Sequence, residues 1–186
     1  MIKRLRKEEA ILVVIDFQEK LMPAMYDRAD VEDKAARLIR GCKALGVPVL
    51  VTQQYTRGLG QTVPVVAEAL GEFEPVEKVT FSCCGCAAFN DALEEAARET
   101  GRNSVIIIGC ETHICVEQTA LDLMGIGFDV FMVADAVQSR SREHKEISLR
   151  RMEKAGAVVT NYESVLYEML GSSRSPEFKA ISAIVK

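Results

Sequence analysis

VIIIGCETHICVEQTALDLM, residues 105–124, is the stretch on which the fold turns. Val105–Ile108 is a short, unbroken aliphatic run with no alternation, so it reads as a strand covered on both faces. Gly109 and the polar residues after it break the run. From Ile114 the apolar residues return at helical spacing as far as Met124, just before Gly125. Strand, turn and helix in this order form the repeating unit of a parallel α/β sheet.

The same alternation extends in both directions. Ile11–Ile15, Val47–Val51, Pro75–Val79, Phe128–Val133 and Ala157–Val159 read as five further strands. Helices are expected near Ala87–Thr100 before Gly101, Arg142–Ala155 before Gly156 and Tyr162–Leu170 before Gly171. Between the first two strands Val31, Ala35, Leu38, Ile39, Cys42 and Leu45 recur with helical period, with Asp30 as the expected N-cap and Gly46 just past the C-terminus. The pattern predicts a doubly wound α/β fold, Rossmann-like, with six mostly parallel strands and helices on both faces. No repeat, low-complexity tract or linker interrupts it, so residues 1–186 are expected to form one domain. Gly171–Pro176 is the one composition break. Residues 171–186 then read as a C-terminal tail helix, whose Phe178, Ile181, Ile184 and Val185 share a face expected to pack on the same domain.

Composition agrees. The 186 residues suit one core. Hydrophobic residues make up 48% with 6% aromatic and no Trp, the aliphatic balance of strands buried on both sides. Lys and Arg number 23 against 27 Asp and Glu, a net charge of −4, which supplies no broad basic field for nucleic acid. The apolar run Ile11–Ile15 is far shorter than a signal core or a membrane span, so no membrane association and a cytoplasmic location are expected. The six cysteines then belong to a reducing compartment, where thiols are structural, metal-binding or catalytic.

Open α/β sheets collect ligands beyond the carboxyl ends of their strands. Asp16 ends the first strand, Lys78 lies at the end of the third and Cys115 follows the fourth, so a carboxylate, an ammonium and a thiol can meet there. With Thr112 as N-cap, Cys115 would sit in a first helical turn, where the dipole and free N–H groups favour a thiolate. Each residue also has a bland reading: a turn carboxylate, an exposed ion pair beside Glu77, a small buried apolar side chain. Cys83-Cys84-Gly85-Cys86 contains a C-x-x-C spacing. A structural zinc site needs four ligands and no second such motif exists, so these read as small residues opening a helix, with a dithiol redox role as the lesser alternative. Gly58 and Gly60 in TRGLGQT, residues 56–62, lack a Walker lysine and read as a mobile pocket loop, with Tyr55 and Leu59 over the substrate.

Four segments, VVIDFQEK (13–20), VTQQYTRGLG (51–60), VEKVTFS (76–82) and IIGCETHICVEQTALDL (107–123), together resemble the isochorismatase-like cysteine hydrolases. VADAVQSRS (133–141), RMEKAGAVVTNYESVL (151–166) and PEFKAISAIVK (176–186) extend the resemblance over nearly the whole chain, towards the isochorismatase-domain-containing members. The resemblance implies Asp16 as general base, Lys78 as the orienting cation and Cys115 as nucleophile. It also implies a non-proline cis peptide between Cys110 and Glu111, with the backbone N–H groups of Glu111 and Cys115 facing an oxyanion. Phe17, Gln54, Tyr55, Thr112 and His113 are expected to line the substrate pocket. Metal-dependent nicotinamidases of the family carry an Asp and a His after strand two and a further His; Gln53, Gln54 and Tyr55 stand there, and His113 and His144 are the only histidines. No metal and no organic cofactor are therefore expected. The expected reaction is hydrolysis of a small amide or ureide through a thioester. Vinyl-ether hydrolysis of the isochorismatase type, or a non-catalytic interaction module, are the alternatives. Relatives are commonly oligomeric, so a homo-oligomer is expected, acting on a small-molecule substrate.

Overall fold

Strand β1 (Ala10–Ile15) runs through the middle of the sheet, and all its residues are buried. In the computed structural model, which describes residues 3–98 and 101–186, the other strands are β2 (Val49–Gln54), β3 (Val76–Lys78), β4 (Ser104–Cys110), β5 (Asp129–Gln138) and β6 (Val158–Thr160). Their order is β3-β2-β1-β4-β5-β6, and every pairing is parallel. Chain order reverses between β1 and β4, which opens a crevice at their carboxyl ends. Gly109 sits in that seam opposite Ile15, with φ 142°. A Cβ there would lie 2.3 Å from the Ile15 carbonyl oxygen, so only glycine lets the two strands approach.

The helices are α1 (Arg28–Ala44), α2 (Thr56–Leu59), α3 (Pro64–Leu70), α4 (Ala87–Arg98), α5 (Glu117–Gly125), α6 (Arg142–Ala155), α7 (Tyr162–Leu170) and α8 (Phe178–Val185). Successive β1 residues point to opposite faces. Leu12 and Val14 join Ile106 and Ile108 beneath α1, α3, α7 and α8, whereas Ile11, Val13 and Ile15 join Val105 and Ile107 beneath α4, α5 and α6. The expected tail helix is α8: Ile181 is fully buried, and Arg37 Nη1 donates to the Ile184 carbonyl at 2.9 Å. Among the described residues no helix is long and apolar enough to cross a membrane.

Several boundaries differ from the sequence reading. β2 starts at Val49 rather than Val47 and continues to Gln54, because Thr52, Gln53 and Gln54 are held in register with Val76, Glu77 and Lys78. β5 continues past Val133 to Gln138, its pairing with β4 resuming after a register shift between Ile107 and Gly109. α1 opens at Arg28, so Asp30 is not its N-cap; it lies in the first turn and accepts from Lys34 at 2.7 Å. Part of the segment expected as a mobile pocket loop, residues 56–62, forms the single turn α2, and α3, opened by Pro64, was not anticipated. Glu99 and Thr100, the end of one expected helix, lie outside the described residues.

Candidate active site

β1 leaves the sheet through Asp16, which adopts φ 53° and turns the chain at the crevice. Its carboxylate is fully buried, and a buried charge persists only when paired and hydrogen-bonded. Both oxygens are used: Oδ1 accepts from Thr52 Oγ1 at 2.8 Å and Oδ2 from Lys78 Nζ at 2.7 Å. Thr52 is the register partner of Ile15, so the β1–β2 pairing delivers its hydroxyl to the residue that follows.

Lys78 ends β3 with its side chain fully enclosed. Besides Asp16, Nζ donates to Gln54 Oε1 at 2.7 Å and to the carbonyls of Thr80 and Phe81 at 3.3 and 3.2 Å. Burial works against the ammonium, yet the Asp16 carboxylate and the neighbouring thiols Cys115 and Cys83 hold its pKa above the ordinary lysine value. An ammonium has three protons, so four acceptors leave none idle. Gln54 is fixed in turn. Its N–H donates to Gln18 Oε1 at 2.7 Å, and Gln18 Nε2 donates to the Gln54 and Gly60 carbonyls.

Cys115 lies in a π-helical turn, Thr112–Val116, between β4 and α5. The Cys110–Glu111 peptide before it is cis. Val116 N–H reaches back to the Glu111 carbonyl, the i+5 bond that widens the turn, a form frequent at functional sites. Thr112 is therefore not the N-cap expected from the sequence. Glu111 holds that position, and Thr112 Oγ1 is buried without a hydrogen-bond partner. Nor is the thiol poised as an anion: burial pushes Cys115 up to about 12, the Asp16 carboxylate adds to the rise by charge and hydrogen bonding, and Lys78 pulls the other way. Asp16, Lys78 and Cys115 thus act on one another from three separate segments.

Among the other expected pocket residues, Phe17 is buried in the core on the α1 side, and Tyr55 is 52% exposed at the end of β2. His113 packs on His144 at 4.6 Å between ring centroids, with Nδ1 3.0 Å from Ser139 Oγ. Burial holds its pKa below the usual histidine value. The Glu111 carboxylate is buried and takes a two-pronged ion pair from Arg140, at 2.8 and 3.0 Å. Cys83 and Cys86 face different partners, Thr52 Oγ1 and the Glu77 carbonyl. Among the described residues no three His, Cys, Asp or Glu side chains are placed to hold a metal ion. Sequence reasoning missed Thr52, Gln18 and Thr119, whereas Cys83, read there as a small residue opening a helix, lies against Thr52. The one available signal was Thr52, a polar residue closing an aliphatic strand beside the strand that ends in Asp16.

Fold and site define a doubly wound α/β protein with a buried Asp–Lys–Cys cluster at the carboxyl edge of its sheet. The isochorismatase domain model matches residues 10–164, and the chain belongs to the isochorismatase family. Isochorismatase domain-containing protein 1 of Salmo salar is 39% identical over 171 residues, covering 92% of this chain and 59% of that protein. Isochorismatase domain-containing protein 2 of Xenopus laevis is 34% identical over 184 residues, covering 99% and 87%. The chain thus spans about three fifths of the first relative's length. Among solved structures, a MAR1 ribonuclease from Caenorhabditis elegans superposes with TM-score 0.90 at 35% identity, covering 98% of this chain and 92% of that one. YcaC from Pseudomonas aeruginosa, described with covalent acrylamide, has TM-score 0.90 at 25% identity, covering 100% and 91%.

Proposed function

We propose that the chain hydrolyses a small amide or ureide through a thioester on Cys115, with Asp16 as proton shuttle and Lys78 as fixed cation. The observation that supports this reading is the buried pairing of Lys78 Nζ with Asp16 Oδ2 at 2.7 Å, with both charges bearing on the buried Cys115 thiol. Asp16 takes the thiol proton as sulfur attacks the carbonyl carbon, and the carbon–oxygen π pair moves onto oxygen. Backbone N–H groups of the 111–115 turn, those of Glu111 and Cys115 in this reading, stabilise that oxyanion. Protonated Asp16 gives its proton to the departing amine; it then accepts a proton from the water that attacks the thioester carbon and passes it to the Cys115 sulfur as the carbon–sulfur bond breaks, releasing the acid and restoring the thiol. Lys78, with its protons committed, acts through charge rather than as an acid.

The covalent acrylamide of the Pseudomonas relative is in keeping with a reactive nucleophile in this fold. A small substrate is preferred over RNA, despite the name of the worm relative, because a net charge of −4 gives no phosphate-tracking surface. Self-association belongs to the same proposal, supported by the exposed apolar side chains of Tyr55, Val79 and Phe81 around the Lys78 segment. Sedimentation over a wide concentration range tests it; a monomer throughout sinks it. The chemistry is tested with a panel of amides, ureides and isochorismate, by rapid quench and intact mass. An acyl adduct on Cys115 is expected, with turnover lost in Cys115→Ala and in Asp16→Asn. Full activity of Cys115→Ala on isochorismate would favour vinyl-ether protonation by Asp16 instead.

A further inference from the structure

The Lys78 segment and the Cys115 turn come from different parts of the chain, and something must fix one against the other. Thr80 and Phe81 supply carbonyls to the Lys78 ammonium, so the position of residues 80–85 is tied to that of the cation. This segment meets α5 at two hydrogen-bonded points. One is exposed, where Ser82 Oγ donates to Asp122 Oδ2 at 2.6 Å. The other is buried: the Cys83 N–H donates to Thr119 Oγ1 at 2.9 Å, and the same hydroxyl donates to the Cys115 carbonyl at 2.7 Å. One hydroxyl uses both its capacities, bonded on one side to the backbone of the lysine segment and on the other to the backbone of the residue bearing the thiol. Water competes for the exposed bond but not for the buried pair, whose loss leaves a desolvated N–H without a partner. The single hydroxyl proton of Thr119 is committed to the Cys115 carbonyl, so it has none to donate to a substrate.

We infer that Thr119 is a positioning residue, its hydroxyl clamping the lysine-bearing segment against the turn that carries Cys115. The inference rests on the proposed role of Cys115 and extends it to a residue that touches neither substrate nor Asp16. Three ionisable groups act on the Cys115 thiol: Asp16 and Cys83 oppose its ionisation and Lys78 favours it. Lys78 itself stays held by β3, Asp16 and Gln54, so releasing the clamp lets the Cys115 turn shift relative to the cation, which weakens the one favourable influence.

The test is the pH dependence of Cys115 alkylation by iodoacetamide, mapped by peptide mass spectrometry on the full chain, in wild type, Thr119→Val and Thr119→Ser. Valine keeps the shape and removes the hydroxyl. The Cys115 profile of Thr119→Val should move to higher pH, with alkylation at fixed pH slowed by about tenfold for each unit of displacement. Thr119→Ser should return the rate to within about twofold of wild type, because it restores both hydrogen bonds. Superimposable wild-type and valine profiles would overturn the inference, as would a serine variant that behaves like valine. Should the valine variant not fold, amide exchange in wild type and Thr119→Ser decides: the Cys83 N–H must be as protected as the core strands, and fast exchange there refutes the clamp. Turnover by Cys115→Ala would defeat the proposed chemistry, an outcome distinct from an unchanged alkylation profile in Thr119→Val.

Discussion

Lys78→Met should destabilise the fold more than Asp16→Asn, and the reason can be counted in hydrogen bonds. Methionine keeps an unbranched chain of similar reach but removes the charge. Asp16 would lose its one cationic partner and keep only neutral neighbours, the Thr52 hydroxyl and the Cys115 thiol, around a buried carboxyl group. Removing one partner of a buried ion pair costs about 3–5 kcal/mol. In Asp16→Asn the ammonium still has the Gln54, Thr80 and Phe81 oxygens, so the loss is nearer that of one charge-assisted hydrogen bond, roughly 1.5–3 kcal/mol. The double variant carries neither uncompensated charge and should fall close to Asp16→Asn rather than at the sum of the two. Urea unfolding followed by circular dichroism, extrapolated to water, measures all four corners of the cycle. For a chain of this length each kcal/mol shifts Tm by about 2–4 °C, so Lys78→Met should melt roughly 6–20 °C below wild type. A Lys78→Met protein within about 1 kcal/mol of wild type, or an Asp16→Asn protein equally damaged, would refute the reasoning.

Gly109→Ala should destabilise by more than about 3 kcal/mol or abolish soluble expression, because its Cβ would meet the Ile15 carbonyl at 2.3 Å across the β1–β4 seam; a melting curve like wild type would count against that packing. Alkaline stability should fall between about pH 9 and 12, since Cys83 and Cys115 are both pushed from 9.0 up to about 12 by burial. A folded pKa raised above the unfolded value gives stability that is complete below the unfolded value and is lost as the unfolded chain ionises first. Each thiol contributes on the order of 1.4 kcal/mol per pH unit in that window, so Cys83→Ala should flatten the measured slope by about that amount, and an unchanged slope would contradict the burial argument. Hydrolysis, once a substrate is in hand, should survive exhaustive chelation; loss of activity restored by one equivalent of zinc or iron would overturn the metal-free reading.

The parts of the fold that could be read from the sequence are those whose burial is strongest. β1 and β4 have every residue buried, and only an aliphatic run survives in such a place, so Ile11–Ile15 and Val105–Ile108 announced them. The end of β2 was not legible because Thr52, Gln53 and Gln54 stay in the ladder for the sake of polar partners: Asp16, Thr62 and Lys78. α3 has seven residues, of which Val66, Ala69 and Leu70 are buried, too short a stretch for period to show. Asp16, Lys78 and Cys115 stood out as candidates because such sheets collect ligands beyond their strand ends, and the structure buries all three there. Thr119 could not, because its value lies in a partner 36 residues away in the chain.

The ionisation of Cys115 shows most clearly where local reading fails. A thiol near a helix start gains about 0.3–1 kcal/mol towards the anion, and up to ~2 kcal/mol in partly buried geometries. Displacement from 9.0 to about 12 is a rise of three units, on the order of 4 kcal/mol in the opposite sense. Burial and the Asp16 carboxylate therefore outweigh the helix end, and Lys78 offsets only part of their effect. A preformed thiolate would also place a second negative charge beside Asp16 in the same enclosed space. In the proposed chemistry the proton must then leave sulfur for Asp16 as the carbon–sulfur bond forms, not before. In that reading Lys78 contributes a charge 2.7 Å from Asp16 in a buried site, while its protons stay bound to Asp16, Gln54 and the Thr80 and Phe81 carbonyls.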